Sequence, residues 1–178
     1  LAKVFSWEDI PKGKNIAIIS NAGGPAVLSS DFVAQEGLKL VRFDDETRKE
    51  LESHLPRAAS ILNPVDVLGD ALAERYENAI KTLIVDDNVH SLLIILTPQV
   101  MTQIEETAEV IGRLSLEYKK PIVCSFMGGS HVLKGEKILN RFEIPSFKYP
   151  ERAVKAIARM CEWGDYRKKL EERVESSD

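Results

Sequence analysis

The sequence predicts an α/β fold of three layers, α/β/α, built on a doubly wound, parallel, five-stranded sheet. Three observations predict it. Apolar runs of strand length recur along the 178 residues. Amphipathic helical patterns fall between the runs, and a β-α-β-α alternation is the signature of a parallel sheet covered on both faces. The first run, Asn15-Ile16-Ala17-Ile18-Ile19-Ser20, passes through Asn21-Ala22-Gly23-Gly24 into a helical pattern, the strand–turn–helix unit of such folds.

Residues 1–14 form a polar lead-in with Trp7, Pro11 and Gly13, read as the end of an interdomain linker. The folded domain is expected over 15–164. In the first unit, Gly23 and Gly24 allow a tight turn with positive φ. Pro25 suits the first helical position, where no N–H is needed. Ala26, Val27, Leu28, Phe32 and Val33 supply an apolar stripe, and Gly37 ends the helix. The second strand is 38–41, followed by a helix over 45–55. Segment 63–70, Asn-Pro-Val-Asp-Val-Leu-Gly-Asp, is too apolar for a free loop and too rich in Pro, Asp and Gly for a helix. Asp66 there reads as a carboxylate held by backbone N–H groups, most simply a structural role.

A helix is expected over 73–85. Run 91–96, Ser-Leu-Leu-Ile-Ile-Leu, is the strongest strand signal and the expected centre of the sheet. The loop 97–102 follows, with Thr102 as N-cap and Glu105 completing a capping box for a helix over 102–118. Strand 121–126 leads to Met127-Gly128-Gly129-Ser130 and a helix over 132–140. Run 144–147 reads as a short edge strand, because Pro145 cannot donate to a central ladder. A helix over 151–163 and a charged tail, 165–178, complete the chain. The tail is either a solvated helical extension or a frayed end. Five strands with right-handed crossovers give a flavodoxin-like or Rossmann-like domain.

Composition narrows the function. Hydrophobic residues make up 44% and charged residues 29%, as in ordinary soluble proteins. The net charge of −4 argues against a nucleic-acid partner. No apolar stretch reaches membrane-spanning length. No signal peptide is visible, and a start without Met fits a fragment. Cys124 and Cys161 lack CxxC spacing and read as unpaired thiols, which makes a reducing cytoplasm the default.

Ligands of doubly wound sheets gather at the carboxyl ends of strands. There a helix N-terminus offers free N–H groups to a phosphate or carboxylate. The candidates are therefore Asn21, Gly23 and Gly24 in the first loop, and Thr97, Pro98, Gln99, Val100, Met101 and Thr102 in the second. Asp66, Gly69, Gly128 and Gly129 are candidates for a supporting or structural role. The competing reading is that Gly-Gly only packs a helix close to a strand. The pattern is neither G-x-G-x-x-G nor a Walker A loop. His54 and His90 read as solvated, and His131 as a helix-start residue. No catalytic triad and no metal-ligand spacing is visible.

Four segments in this order resemble the NDP-forming acyl-CoA synthetases, specifically the ADP-forming acetyl-CoA synthetases. They are Ser20-Asn21-Ala22-Gly23-Gly24-Pro25, the whole of 63–70, Ile95-Leu96-Thr97-Pro98-Gln99-Val100-Met101-Thr102, and Ser125-Phe126-Met127-Gly128-Gly129. The likeness runs from about Phe5 to Trp163. It implies the last flavodoxin-like domain of the α subunit, similar to the C-terminal domain of the succinyl-CoA synthetase β subunit. In that superfamily phosphate cleaves an acyl-CoA, the acyl phosphate phosphorylates a histidine, and the histidine passes phosphate to ADP. The resemblance places the start of one phosphate-facing helix near 99–102, with the 21–24 loop beside it. It implies CoA, ADP or ATP with Mg, and phosphate for the whole enzyme, and no cofactor bound by this segment. The implied partners are CoA-binding and phosphohistidine domains of the same chain and an ATP-grasp subunit or domain, in a hetero-oligomer. His131 does not match the phosphohistidine context. Two other readings remain open. One is a non-catalytic regulatory module, for example fused to an acyltransferase. The other is a flavodoxin, disfavoured because the first loop lacks a Ser/Thr-rich run.

Overall fold

The computed structural model describes residues 1–175. Five strands, all parallel where they pair, form one sheet: β1 Asn15–Ser20, β2 Lys39–Leu40, β3 Val65–Asp66, β4 Ser91–Leu96 and β5 Ile122–Phe126. The order is β2-β1-β4-β5, and β3 joins β1 on the same edge as β2 but one level further along. β1 and β4 are thus the inner strands. Every residue of β4 is buried, as its unbroken apolar run requires.

Side-chain alternation divides the core into two. Ile16, Ile18, Leu93, Ile95 and Val123 face helices α1 Ala2–Trp7, α2 Gly23–Gln35 and α7 Pro150–Glu175. Ala17, Ile19, Leu92, Ile94 and Leu96 face α3 Asp45–His54, α4 Ala73–Ile84, α5 Ile104–Glu117 and α6 Leu133–Arg141. The chain therefore has three layers, with helices on both faces.

Several local expectations are corrected. The lead-in carries a helix, because Val4 is fully buried against α7's apolar side. Run 144–147 makes only one parallel bridge to β5, through Ser146. The fifth strand is β3 instead, inside the segment expected to be irregular. It stays short because Asn63 completes the edge with its side chain. Its Oδ1 accepts the Ile18 N–H at 3.0 Å, and its Nδ2 donates to the Ile16 and Val41 carbonyls at 2.8 and 3.0 Å.

Helix α2 begins at Gly23, so Gly23 and Gly24 are helical and Pro25 is its third residue. The positive-φ turn expected there does not form. Its buried side chains are Ala26, Ser29 and Val33, one face of a 3.6-residue helix, whereas Val27 and Leu28 are 65% and 50% exposed. Helix α7 runs through the first part of the charged tail, and residues 176–178 lie outside the described ones.

Candidate functional site

Because β1, β4 and β5 are parallel, the loops 21–22, 97–103 and 127–128 leave the sheet at one edge. Buried Asn21 clasps the first two. Its Nδ2 donates to the Thr97 carbonyl at 2.8 Å, and its Oδ1 accepts from the Thr97 N–H at 2.8 Å and hydroxyl at 3.1 Å. Gln99 adds a strut, with Nε2 donating to the Asn21 carbonyl at 2.9 Å. Gly69 comes from the β3 side. A Cβ built there would lie 2.2 Å from Gln99 Oε1. Gly128 comes from the β5 side, where a Cβ would lie 2.3 Å from the Pro98 ring. Absent side chains at these two glycines let the β3-side and β5-side loops close on the 97–103 loop.

Asp66 behaves as its setting suggests. Its Oδ1 accepts the Leu68 N–H at 2.9 Å, and its Oδ2 stands 3.9 Å from the Cβ position of Gly23. Asp70 pairs with Arg75 Nη1 at 2.6 Å, and that bond holds its carboxyl below the usual range. Arg75 also donates to the Val67 carbonyl. Tyr76, which sequence reasoning passed over, is wholly buried beneath the edge. Its hydroxyl donates to the Ile95 carbonyl at 2.9 Å, and burial raises its pKa well above ordinary. An aromatic with a polar tip on an amphipathic helix was the available signal.

The two helix starts differ. The Gly23 and Gly24 N–H groups make no hydrogen bond among the described residues, and both glycines are exposed. A Cβ on Gly24 would meet nothing within 4 Å. The α2 N-terminus therefore presents open N–H donors with no acidic side chain in its first turn. Helix α5 starts at Ile104, later than expected, with Gln103 as its cap residue. Thr102 is not the N-cap. Its hydroxyl instead accepts the Gln99 N–H at 2.9 Å, which occupies that donor. Gln103 Oε1 reaches across to the Ala73 N–H. Glu105 and Glu106 sit in the first turn of α5, where carboxylates stabilise the helix but compete with an anion.

Val100 is fully exposed and Met101 half exposed. With Val27 and Leu28 they give this edge exposed apolar side chains beside open N–H groups. Gly129 has a φ of 55° and is exposed, at the start of a single 3-10 turn. His131 is exposed, with Nδ1 3.2 Å from the Gly128 carbonyl. His54 is exposed beside Glu50. His90 is half-buried and only partly solvated, against the expectation of a solvated side chain. Its Nδ1 accepts the Asn15 N–H at the opposite edge of the sheet.

The fold and this edge define a doubly wound α/β domain with its polar loops assembled at the carboxyl ends of the strands, the position at which this class binds ligands. The profile of one family, the Ligase-CoA domain, matches residues 16–170. The chain belongs to that family. It is 43% identical over 148 residues to an acetate–CoA ligase (ADP-forming) I of Archaeoglobus fulgidus, covering 83% of this chain and 21% of that protein. It is 34% identical over 182 residues to the acetate–CoA ligase (ADP-forming) I subunit alpha of Pyrococcus furiosus, covering 97% and 39%. The dinucleotide-forming acetyl-coenzyme A synthetase 1 of Ca. Korarchaeum cryptofilum, solved in complex with phosphate and ADP, superposes with a TM-score of 0.88 at 26% identity, over 96% of this chain and 37% of that one. The chain thus spans well under half of these relatives' lengths. Among the described residues no helix is long and apolar enough to cross a membrane.

Proposed function

We propose that this chain is one domain of an ADP-forming acyl-CoA synthetase and supplies one wall of its phosphoryl-binding site. The observation that carries the reading is the bare α2 N-terminus, braced by the Asn21–Thr97 clasp. Two unbonded N–H groups and a helix dipole of roughly half a unit charge suit a phosphoryl oxygen. Such donors, fixed before the ligand arrives, stabilise transferred charge without reorganising. The residues present fit a phosphoryl group through backbone, not through cations. The relatives' names support a ligase over a regulatory module.

In this reading Gly23 and Gly24 bind phosphoryl oxygens. Asn21, Thr97 and Gln99 hold the loops, and Asp66, Gly69 and Gly128 support them. Val100 and Met101 meet a neighbouring domain, together with Val27 and Leu28. Pro98 and Thr102 shape the loop between. CoA, ADP with Mg, and the phosphorylated histidine come from CoA-binding, ATP-grasp and phosphohistidine partners in a hetero-oligomer. Two free, buried cysteines suit a cytoplasmic setting.

The test is ATP formation from acetyl-CoA, ADP and phosphate by the assembled enzyme, with phosphoenzyme labelling. Gly24→Val should cut turnover at least about tenfold, the loss of roughly one hydrogen bond to a charged group, and the chain alone should be inactive. Turnover by the isolated chain, or wild-type labelling with Gly24→Val, would sink the reading.

A further inference from the structure

The opposite edge of the sheet holds a second cluster that the phosphoryl reading does not use. A cavity of about 310 Å³ opens there, lined by Lys12, His90, Lys119 and Lys120 with Asp9 and Asp87. Lys168 reaches the same corner from α7, its Nζ 3.4 Å from the Lys12 carbonyl. Four lysines stand against Asp9 and Asp87, with Asp86 also acting on Lys120, so the corner is net basic in a chain whose net charge is −4.

The imidazole is oriented. His90 Nδ1 accepts the Asn15 N–H at 3.2 Å, so the neutral ring carries its proton on Nε2. Nε2 has no hydrogen-bond partner among the described residues. The ring edge lies against Gly13, where a Cβ would come within 2.6 Å, and that close packing fixes its plane. Lys120 is anchored, donating to the Asp86 and Leu83 carbonyls at 2.5 and 3.5 Å. Lys14 is committed elsewhere, to Asp165 at 3.2 Å. Lys12, Lys119 and Lys168 make no ion pair among the described residues. Burial, and then the ammonium groups of Lys120, Lys12 and Lys168, hold the His90 pKa below its ordinary value. Like charges gathered around a fixed donor are relieved by an anion.

We propose that this amino-edge cavity binds a phosphate-type anion through His90 Nε2–H, Lys12, Lys119 and Lys168. The donors are compact ammonium groups and one N–H, with no guanidinium fork, so the ligand is a tetrahedral oxyanion held by point charges. The site is separate from the α2 N-terminus, which lies at the other end of the strands.

The chain has three histidines, so each can be followed by NMR in the full chain. Inorganic phosphate and AMP, offered separately, distinguish a free ion from the terminal group of a larger molecule. At least one should raise the His90 midpoint by about one pH unit in a saturable way, equivalent to about tenfold preference for the imidazolium form. Sodium chloride at equal ionic strength should not. His54 is the control, and His131 reports on the carboxyl edge. Lys12→Gln combined with Lys168→Gln should abolish the response while leaving the His54 signal unchanged. If neither probe shifts His90 saturably, if chloride matches them, or if the double variant responds like wild type, the site does not exist.

Discussion

Asn21 and Thr97 share one side-chain amide on both sides. The amide of Asn21 donates to the Thr97 carbonyl and accepts the Thr97 N–H, both at 2.8 Å. In a sheet ladder the neighbouring strand would fill those positions. Here a side chain continues the pairing of β1 with β4 past the last strand residues, and so fixes two loops at their roots. Asn21→Ala should destabilise the chain by about 1–2 kcal/mol, because it strands the half-buried Thr97 N–H and leaves the Thr97 carbonyl only the Thr102 hydroxyl at 3.4 Å. Asn21→Asp should cost more at pH 8 than at pH 5, since a carboxylate cannot donate to the Thr97 carbonyl. Urea unfolding at both pH values measures this, and equal stability of Asn21→Ala and wild type would refute the clasp.

Two glycines of the same edge should respond in opposite ways. A Cβ at Gly24 meets open space, whereas one at Gly128 drives into the Pro98 ring. Gly24→Ala should leave thermal stability unchanged or raise it, by up to about 1 kcal/mol from helix propensity. Gly128→Ala should lower it by roughly 1–3 kcal/mol, the cost of overpacking. Calorimetry on both variants decides. A destabilised Gly24→Ala would mean that its backbone already packs against this chain and is not open to a ligand.

The alternation of strand and helix was legible because buried parallel strands must be continuously apolar. The shared edge followed from parallel pairing alone. The details were lost where side chains replace backbone. Asn63 does the work of a strand, which hid β3 and let residues 144–147 stand in for it. Thr102 spends its hydroxyl on Gln99 and not on a helix N–H, so a correct capping-box pattern marked the wrong start for α5. Gly-Gly suggested a turn, yet Gly23 and Gly24 are helical, because an N-terminal turn of helix already leaves their N–H groups free. His90 looked solvated because its partner, Asn15, lies 75 positions away in the sequence.

Gly69 and Gln99 form a pair whose coupling can be measured. A methyl at Gly69 would displace the Gln99 amide, and with it the strut to the Asn21 carbonyl. Because Gln99 is exposed and flexible, Gly69→Ala should cost only about 1 kcal/mol, one hydrogen bond. In a Gln99→Ala background the same change should cost almost nothing. A double-mutant cycle by denaturant unfolding tests it. Equal costs in the two backgrounds would show that the Gly69 turn is held by something other than Gln99.

Glu8 ties the segment after α1 to the sheet, its Oε2 accepting the Ile122 N–H at 3.1 Å. Burial, reinforced by repulsion from Asp9, lifts its pKa from 4.5 to about 8, against the opposing pull of that hydrogen bond. The sign follows from linkage. The folded state holds the Glu8 proton more tightly than the unfolded chain, so this contribution is complete below pH 4.5 and is lost as pH rises through about 8. Glu8→Gln keeps an acceptor for Ile122 and never ionises. The variant should match wild type near pH 4.5 and exceed it progressively up to pH 9, by roughly 1–3 kcal/mol once screening at the partly exposed site is allowed for. Taking the difference between the two proteins cancels every other titrating group. Unfolding free energies measured from pH 4.5 to 9 should therefore diverge in that direction alone. A gap that stays constant, or that opens toward low pH, would mean that Glu8 is charged in the native fold at neutral pH and that the Ile122 hydrogen bond outweighs its burial.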